Sequence, residues 1–147
     1  MKKIAGYLNL KPINGIIFPS YVQNQLNKDF IENKLNSSFF MTTNENTYGE
    51  NSIVLKSLIK NKSIKGVVML STFSLPNDFN SRQEIYKLIK KNKKSLHFIF
   101  EELSFEKKIN ESEIESYLIF DNNFFLEKKT DLNSFEKTFI DKSWQFV

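Results

Sequence analysis

The sequence predicts an α/β domain of three layers, in which helices cover both faces of a mainly parallel β-sheet. Four short apolar segments alternate with three amphipathic helical patterns, and this alternation is typical of β-α-β units. The connecting loops are short, so right-handed crossovers bring the carboxyl ends of the strands to one edge of the sheet. The third segment is apolar along nearly its whole length, as expected of a strand buried on both faces. The four segments are residues 4–10, 37–42, 65–71 and 95–100.

The first predicted strand, at residues 4–10, is followed by a loop and a helix. Gly6 within this strand is expected to permit close approach of a neighbouring backbone. Ser20 and Gln23 have the spacing of a capping box, in which the two side chains satisfy backbone N–H groups at the start of a helix. Apolar side chains then recur at helical spacing, so the helix is expected to begin at Ser20 and to end near Leu35.

The second predicted strand, at residues 37–42, is separated by a polar loop from the second predicted helix. That helix spans residues 51–62 and has one apolar face. The third strand, at residues 65–71, is the most apolar of the four and leads into a loop of hydroxyl side chains. The residues of the second helix that are expected to face the core are Val54, Leu58 and Ile59.

A third helix is predicted after this loop, because Ser81 and Glu84 have the spacing of a second capping box. The lysines of residues 87–94 suit the exposed face and the C-terminal end of that helix, where cations are favourable. The fourth strand, at residues 95–100, ends before Glu101. The apolar face of the third helix is expected to consist of Ile85, Leu88 and Ile89.

The pattern is weaker after residue 107. The chain of 147 residues is expected to form a single domain, with residues 4–107 as its core and residues 108–147 as a C-terminal extension packed on that core. Within this part, the sequence predicts a strand at 104–109, a helix at 111–120 behind a capping box of Ser112 and Glu115, a strand-like segment at 124–128 and a last helix at 132–144.

The composition excludes several classes of protein. Apolar residues make up 40% of the chain and aromatic residues 14%, which indicates a folded globule. Cysteine is absent, so disulfides, thiol catalysis and thiolate metal sites are excluded. The net charge of +4 is modest, and a nucleic-acid-binding domain normally has a stronger basic stripe with arginines. No segment matches a signal peptide or a membrane span, so the protein is expected to be soluble and cytoplasmic.

Polar side chains gather where the predicted strands end. Open α/β sheets bind ligands in the crevice outside the carboxyl ends of their strands, and amide, hydroxyl and carboxylate groups there suit a polyhydroxylated ligand such as a sugar. Helix N-termini at the same edge favour an anionic group on that ligand. The alternative for each Ser or Asn is a rim residue that caps a helix or strand. The residues expected to bind ligand are Gln23, Asn24, Ser71, Arg82 and Glu101.

Arg82 is the only arginine among 21 basic residues. Its planar guanidinium can bind an acceptor with two parallel hydrogen bonds, which lysine cannot do. It follows Ser81 at the predicted start of a helix, where a cation is unfavourable. We therefore expect Arg82 to hold a fixed acceptor, either a ligand phosphate or carboxylate or a protein carboxylate such as Glu101. The alternative is an exposed arginine without a role.

Glu101 is the candidate catalytic residue, because a carboxylate at the end of a buried strand can act as a general base if its pKa is raised. The alternative is that Glu101 caps a nearby amide or pairs with a lysine. His97, the only histidine, lies inside the fourth predicted strand and is expected to be a hydrogen-bonded structural residue. No set of residues predicts a metal site, and no glycine-rich phosphate loop predicts a cofactor.

Several segments resemble the catalytic domain of serine recombinases of the resolvase type. These are the Gly6-Tyr7 pair, residues 22–26, residues 66–75 and residues 96–101. In that family a serine nucleophile follows the first strand within an R-V-S triplet, and here the matching residues are Asn9, Leu10 and Lys11. Without the nucleophile this route of DNA cleavage is not possible. The resemblance therefore implies a fold and no DNA-cleaving function.

A set of short motifs is spread over residues 4–107. It consists of Gly6-Tyr7, Asn14-Gly15, Pro19, Val22-Gln23-Asn24, Leu70-Ser71, Leu75-Pro76, Arg82 with Ile85-Tyr86, Leu96-His97-Phe98 and Glu101. Together these motifs resemble the sporadic carbohydrate cluster protein family, whose members occur in bacterial gene clusters for surface polysaccharide or nucleotide-sugar biosynthesis. The resemblance implies this pathway and leaves the reaction open.

Two hypotheses for the function follow. In the first, the protein binds a sugar or nucleotide-sugar at the carboxyl edge of the sheet and is a small enzyme. In the second, it is a non-catalytic partner or scaffold for a sugar-modifying enzyme. Neither nucleic acid nor a membrane is an expected partner. An enzyme should have a deep pocket lined by Asn24, Ser71, Arg82 and Glu101, whereas a scaffold should have a flat apolar patch.

Overall fold

The computed structural model of the chain describes residues 1–45 and 51–127. In this part the chain is an α/β fold with a five-stranded, mostly parallel sheet and four α-helices, which confirms the predicted fold class. The strands are β1 (Lys3–Leu8), β2 (Ser38–Asn44), β3 (Ile64–Met69), β4 (Ser95–Phe98) and β5 (Leu103–Phe105). The helices are α1 (Ser20–Asp29), extended by a π-helical turn (Phe30–Lys34), α2 (Ile53–Lys60), α3 (Phe79–Asn92) and α4 (Glu111–Glu127).

The strands lie in the order β2-β1-β3-β4-β5. β1 pairs in parallel with both β2 and β3, and β3 pairs in parallel with β4. β5 is antiparallel to β4. From β1 the chain moves to one side of the sheet to reach β2, and from β3 it moves to the other side to reach β4. The switch point of this fold therefore lies between the carboxyl ends of β1 and β3, where open α/β sheets bind ligands.

Helices cover both faces of the sheet. The β1-α1-β2 crossover and the two later crossovers run in opposite directions, so right-handed connections place α1 on one face and α2 with α3 on the other. On the α1 face, Ile31 of the π-helical turn packs with Ile4 and Val68. Burying these side chains contributes about 1.5–3 kcal/mol each. The predicted inward faces of α2 and α3 are buried at Leu58, Ile59, Ile85 and Ile89 and half-buried at Val54 and Leu88.

Several strands are shorter than the apolar pattern predicts. β1 ends before Asn9 because the Asn9 side chain accepts a hydrogen bond from the Lys11 N–H at 2.9 Å, which turns the chain. β4 ends two residues before the predicted end because the Glu102 N–H donates to the Ile99 carbonyl at 3.2 Å and closes a turn. The strand predicted at 104–109 is β5, and it is likewise shorter.

The capping boxes predicted for the first and third helices are wrong. Pro19 is the N-cap of α1 without a side-chain cap, and the Ser20 hydroxyl donates to Asn44 Oδ1 at 2.9 Å instead. α3 begins two residues before Ser81 because the Asp78 carboxylate is its cap. This carboxylate accepts from both the N–H and the hydroxyl of Ser81 at 3.0 Å. Acidic side chains are good N-caps because they satisfy free N–H groups at a helix start.

The described part of the C-terminal extension is helical. α4 begins at Glu111, as predicted, but Ser112 then lies inside the helix and cannot be its N-cap. The strand-like segment predicted at 124–128 is wrong for residues 124–127, because α4 continues through them without a Gly or Pro to end it. The predicted helix at 132–144 lies outside the described residues.

The chain divides into two compact units, Met1–Glu111 and Ser112–Val147. The sheet and helices α1 to α3 belong to the first unit. The packing of the extension on the core stays a prediction. Within residues 1–45 and 51–127, no helix combines the length and the apolar character that a membrane crossing requires.

Two glycines permit close packing on the α1 face of the sheet. A Cβ atom at Gly6 would lie 2.8 Å from the Phe39 ring and 2.9 Å from Asn27 Cβ, so two side chains, and not the predicted backbone, approach Gly6 closely. A Cβ atom at Gly66 would lie 1.8 Å from the Ser95 hydroxyl oxygen. The missing side chain of Gly66 is therefore the space in which the Ser95 hydroxyl lies.

The substitution Gly66→Ala is expected to lower the free energy of unfolding by about 2 kcal/mol, because the added methyl group overpacks a buried site. Urea unfolding monitored by circular dichroism measures this loss. Gly15→Ala is the matched control: Gly15 has a φ of 81° and no neighbouring atom within 4 Å of an added Cβ, so only a backbone cost of about 1 kcal/mol applies. A loss at Gly66 no larger than that at Gly15 would contradict the steric explanation.

Candidate functional site

The loops after β1 and β3 are fastened to each other at the switch point. The Asn9 side-chain amide donates to the Ser74 carbonyl at 3.0 Å. The Lys11 ammonium donates to the Leu75 carbonyl. A short 3₁₀ turn, Thr72–Ser74, begins the second loop. These bonds give the carboxyl edge a fixed backbone, as a preformed binding site requires.

Gln23 ties α1 to the loop after β1. Only 2% of Gln23 is exposed. Its amide nitrogen donates to the carbonyls of Asn9 at 2.9 Å and Phe18 at 2.8 Å. Its amide oxygen accepts from the Asn9 N–H at 3.2 Å. These bonds make Gln23 a positioning residue that holds the rim of the crevice in place.

Asn24 has an acceptor atom without a partner. The residue is half-buried, and its Oδ1 atom is buried with no hydrogen bond to any described residue. Asn27, three residues later on the same helix face, has an equally unpaired Oδ1 atom, although its amide nitrogen donates to the Tyr7 carbonyl at 3.2 Å. An unpaired buried acceptor costs about 1–3 kcal/mol, so each one calls for a physical reason.

Ser71 and Glu101 are in direct contact. The Ser71 hydroxyl donates to the Glu101 carboxylate at 2.6 Å. Thr72 donates to the same carboxylate through its hydroxyl at 2.9 Å and its N–H at 3.2 Å. The carboxylate thus holds the start of the loop after β3, which is the capping alternative considered for Glu101. With three donors already bound, little acceptor capacity remains for a general base.

Arg82 binds the far end of the same loop. Its guanidinium donates to the Asn77 carbonyl at 2.7 Å and to the Pro76 carbonyl at 3.1 Å. It also lies 5.7 Å from the centre of the Phe79 ring, within cation–π range. The fixed acceptors in these bonds are therefore backbone carbonyls. Arg82 and Glu101 hold the two ends of the loop between β3 and α3.

The structure contains a buried pair, Tyr7 and Glu45, that the sequence did not predict as part of the site. The Tyr7 hydroxyl donates to Glu45 at 2.8 Å, and the N–H groups of Val54 and Leu55 donate to the same carboxylate at 3.1 Å. Glu45 therefore caps the start of α2. Burial, followed by the nearby negative charge of Glu45, raises the pKa of Tyr7. The sequence signal was a tyrosine in an apolar strand and a glutamate eight residues before a helix, and neither is specific.

His97 is buried on the α1 face of the sheet, where it contacts the Phe30 ring. Its Nδ1 and Nε2 atoms lie 2.9 Å from the Ser104 hydroxyl and 3.1 Å from the Ser95 hydroxyl. Burial lowers the pKa of His97 to about 4, so the imidazole is neutral at physiological pH. In the part of the chain that the structure describes, no group of three or more His, Cys, Asp or Glu residues could hold a metal ion.

The structure thus groups the five predicted residues in two places. Gln23 and Asn24 lie at the start of α1, whereas Ser71, Arg82 and Glu101 frame the loop between β3 and α3. Cavities are present at the amino-terminal edge of the sheet and beside α2, and their walls contain none of these five residues. Comparison of the chain with protein-family models and with curated proteins gives no match.

Proposed function

We propose that this chain binds a sugar or nucleotide-sugar at the carboxyl edge of its sheet and acts in bacterial surface polysaccharide or nucleotide-sugar biosynthesis. The observation that carries the binding proposal is the unpaired Oδ1 atom of Asn24. A ligand hydroxyl supplies the donor that this acceptor lacks once the half-buried Asn24 side chain turns toward solvent, because the Oδ1 atom itself is buried. Asn24 directly follows Gln23, which is bonded to the loop at the switch point. The pathway rests on the resemblance of residues 4–107 to sporadic carbohydrate cluster proteins.

The start of α1 supports an anionic group on the ligand. This ten-residue helix has Pro19 as its N-cap and no side-chain cap, and the N–H groups of Val22 and Gln23 donate to the Pro19 carbonyl at 3.0 and 3.1 Å. The positive end of the helix dipole favours a phosphate at this position. A nucleotide-sugar provides both the phosphate for the helix start and the hydroxyls for Asn24.

A thermal-shift experiment with the full chain tests this proposal. The ligands are UDP-glucose, GDP-mannose, UDP and glucose, each at several concentrations. A ligand at 100 times its Kd stabilises the folded state by about 2.7 kcal/mol, which raises the Tm by several degrees. We expect at least one nucleotide-sugar to raise the Tm more than UDP or glucose does. If none of these ligands raises the Tm at millimolar concentration, binding of this ligand class is contradicted.

The substitution Asn24→Leu is expected to separate binding from stability. Leucine removes the unpaired acceptor and is similar in size, so the Tm should stay unchanged or rise, whereas the ligand-induced rise in Tm should disappear. Gln25→Leu, at the exposed neighbouring position, is the control and should keep the ligand response. If Asn24→Leu keeps the ligand-induced rise in Tm, then Asn24 has no role in binding.

A scaffold for a sugar-modifying enzyme is the second candidate function. Two observations favour it: the Glu101 carboxylate is occupied by internal donors, and large apolar side chains are exposed before and at the start of α1. Ile16 and Ile17 are each 57% exposed and Tyr21 is 72% exposed, a group that suits a protein contact. The thermal-shift experiment separates the candidates, because a scaffold without a sugar site gives no ligand-induced rise.

A further inference from the structure

Two neighbouring cavities lie at the amino-terminal edge of the sheet, at the end opposite to the switch point. The smaller has a volume of about 240 Å³ and the larger about 650 Å³. Lys93 and Glu106 line both cavities, so the two adjoin. Lys65 and Ser95, at the starts of β3 and β4, line the smaller one. We call this feature the paired cavity.

Lysines dominate the walls of the paired cavity. Lys90 forms an ion pair with Glu111, and the Lys94 ammonium donates to backbone carbonyls of Asn61 and Ile64. The other lysine ammonium groups have no hydrogen bond or ion pair with the described residues, and Glu106 is the one acidic side chain among the lining residues. These other lysines are Lys2, Lys65, Lys93, Lys107 and Lys108.

The side chains of these five lysines are exposed, so water and salt screen their mutual repulsion. Because they carry one sign of charge at one edge of the sheet, they raise the local concentration of anions. Their positive charge also acts on Lys94, whose pKa is lowered by burial and, in addition, by the charge of Lys65. Because the whole chain has a net charge of only +4, five lysines at one edge that have no acidic partner among the described residues are a marked local excess.

A hydroxyl group complements the ammonium groups of the smaller cavity. The half-buried Ser95 side chain lies over Gly66, and its oxygen is 3.1 Å from His97 Nε2. In the tautomer with hydrogen on Nε2, the imidazole donates to the Ser95 oxygen, and the Ser95 hydroxyl hydrogen is then available to the cavity. Ammonium and hydroxyl donors together match the several acceptor oxygens of a phosphate group.

The larger cavity also has apolar walls, formed by Ile89 and Ile109. From these features we infer that the paired cavity binds a small phosphate-bearing molecule with an apolar or aromatic part. The phosphate lies in the smaller cavity with Lys65, Lys93 and Ser95, and the apolar part lies on Ile89 and Ile109. This site is separate from the proposed sugar site at the carboxyl edge and does not depend on it.

Phenyl phosphate is a suitable probe because it has a phosphate and an aromatic ring but no sugar or nucleotide. Titration of the full chain is followed by ¹H–¹⁵N NMR in 0.1 M salt, with inorganic phosphate and phenol as reference ligands. We expect phenyl phosphate to bind with a Kd of about 0.1–1 mM and to shift the amide signals of Lys65, Lys93 and Ser95. Inorganic phosphate should bind at least about threefold more weakly, because it lacks the apolar contact.

The double variant Lys65→Gln/Lys93→Gly should weaken phenyl phosphate binding by about tenfold or more. Lys93 has a φ of 54°, so glycine fits its backbone and the fold is preserved. Lys28→Gln/Lys87→Gln removes the same charge from exposed helix positions and should change the Kd less than about twofold, because distant charges are screened. Asn24→Leu should leave phenyl phosphate binding unchanged, which distinguishes this site from the sugar site.

Three results would overturn the inference. In the first, phenyl phosphate does not shift these amide signals at 10 mM. In the second, the two double variants lose affinity equally, which indicates unspecific charge attraction. In the third, the protein sediments with phosphatidylglycerol vesicles but binds no free phosphate compound, which assigns the lysines to a lipid surface.

Discussion

Replacing Glu45 by alanine is expected to lower the free energy of unfolding by about 3–5 kcal/mol. The buried carboxylate accepts hydrogen bonds from the Tyr7 hydroxyl and from the N–H groups of Val54 and Leu55. Its removal leaves a buried phenol and the start of α2 without partners, and each such group bears its own desolvation cost. Urea unfolding of the wild type and the variant measures the difference.

Two further variants test the cause of this loss. Glu45→Gln keeps one acceptor oxygen and the shape of the side chain, so its loss should be smaller, about 1–2 kcal/mol. In a double-mutant cycle, Tyr7→Phe and Glu45→Ala should be non-additive by at least about 1 kcal/mol, because both remove the same bond. Glu32→Ala, at an exposed position of the π-helical turn, is the control. An equal loss for Glu45→Ala and Glu32→Ala would contradict the capping role.

The second large effect is a loss of stability in acid caused by His97. Burial lowers the pKa of His97 to about 4, although the Glu106 charge acts in the opposite direction. The unfolded chain therefore binds a proton near pH 6.5 that the folded chain binds only near pH 4, so stability rises with pH between these values. From pH 7 to pH 5 the free energy of unfolding should fall by about 2 kcal/mol through this group, and by about 3 kcal/mol in total below pH 4.

Because His97 is the only histidine, this pH window can be assigned to it. Unfolding midpoints in urea are measured at pH 5, 6 and 7 for the wild type and for His97→Gln, which cannot titrate. The variant should be less stable at pH 7, since the bonds to Ser95 and Ser104 change, but its stability should depend much less on pH between 5 and 7. The same pH dependence in both proteins would assign the effect to other groups.

The fold class was predictable from the sequence because it depends on a repeated pattern. The apolar strand segment appears four times and the apolar helix face three times, and the pattern is reliable because these residues must be buried in the core. The residues at which each strand and helix begins and ends were less predictable, because single side chains decide them. Asp78 rather than Ser81 caps α3, and the Asn9 side chain ends β1. Several polar residues near each boundary can accept the same N–H bonds, and only the folded geometry selects one of them.

The candidate site was predictable in position and less so in the role of each residue. Parallel strands bring Ser71 and Glu101 to one edge, so their proximity follows from topology. The sequence could not show that Glu101 binds loop donors or that Gln23 is bonded to Asn9, because these bonds depend on side-chain directions. The paired cavity was not predicted either, since Lys65 and Glu106, which both line the smaller cavity, are 41 positions apart and come together only through the pairing of β3, β4 and β5.

The central position of β1 has a consequence for how the chain folds. β1 is the first of the described strands in the chain and is paired on both sides, with β2 and with β3, and both partners come much later in the chain. One edge of the apolar β1 therefore stays open on the ribosome until residue 69 has emerged from the exit tunnel. Such non-local parallel pairing folds slowly and exposes an aggregation-prone edge in the meantime. The yield of folded protein during expression, and its dependence on chaperones, should therefore change with the speed at which residues 45–69 are translated.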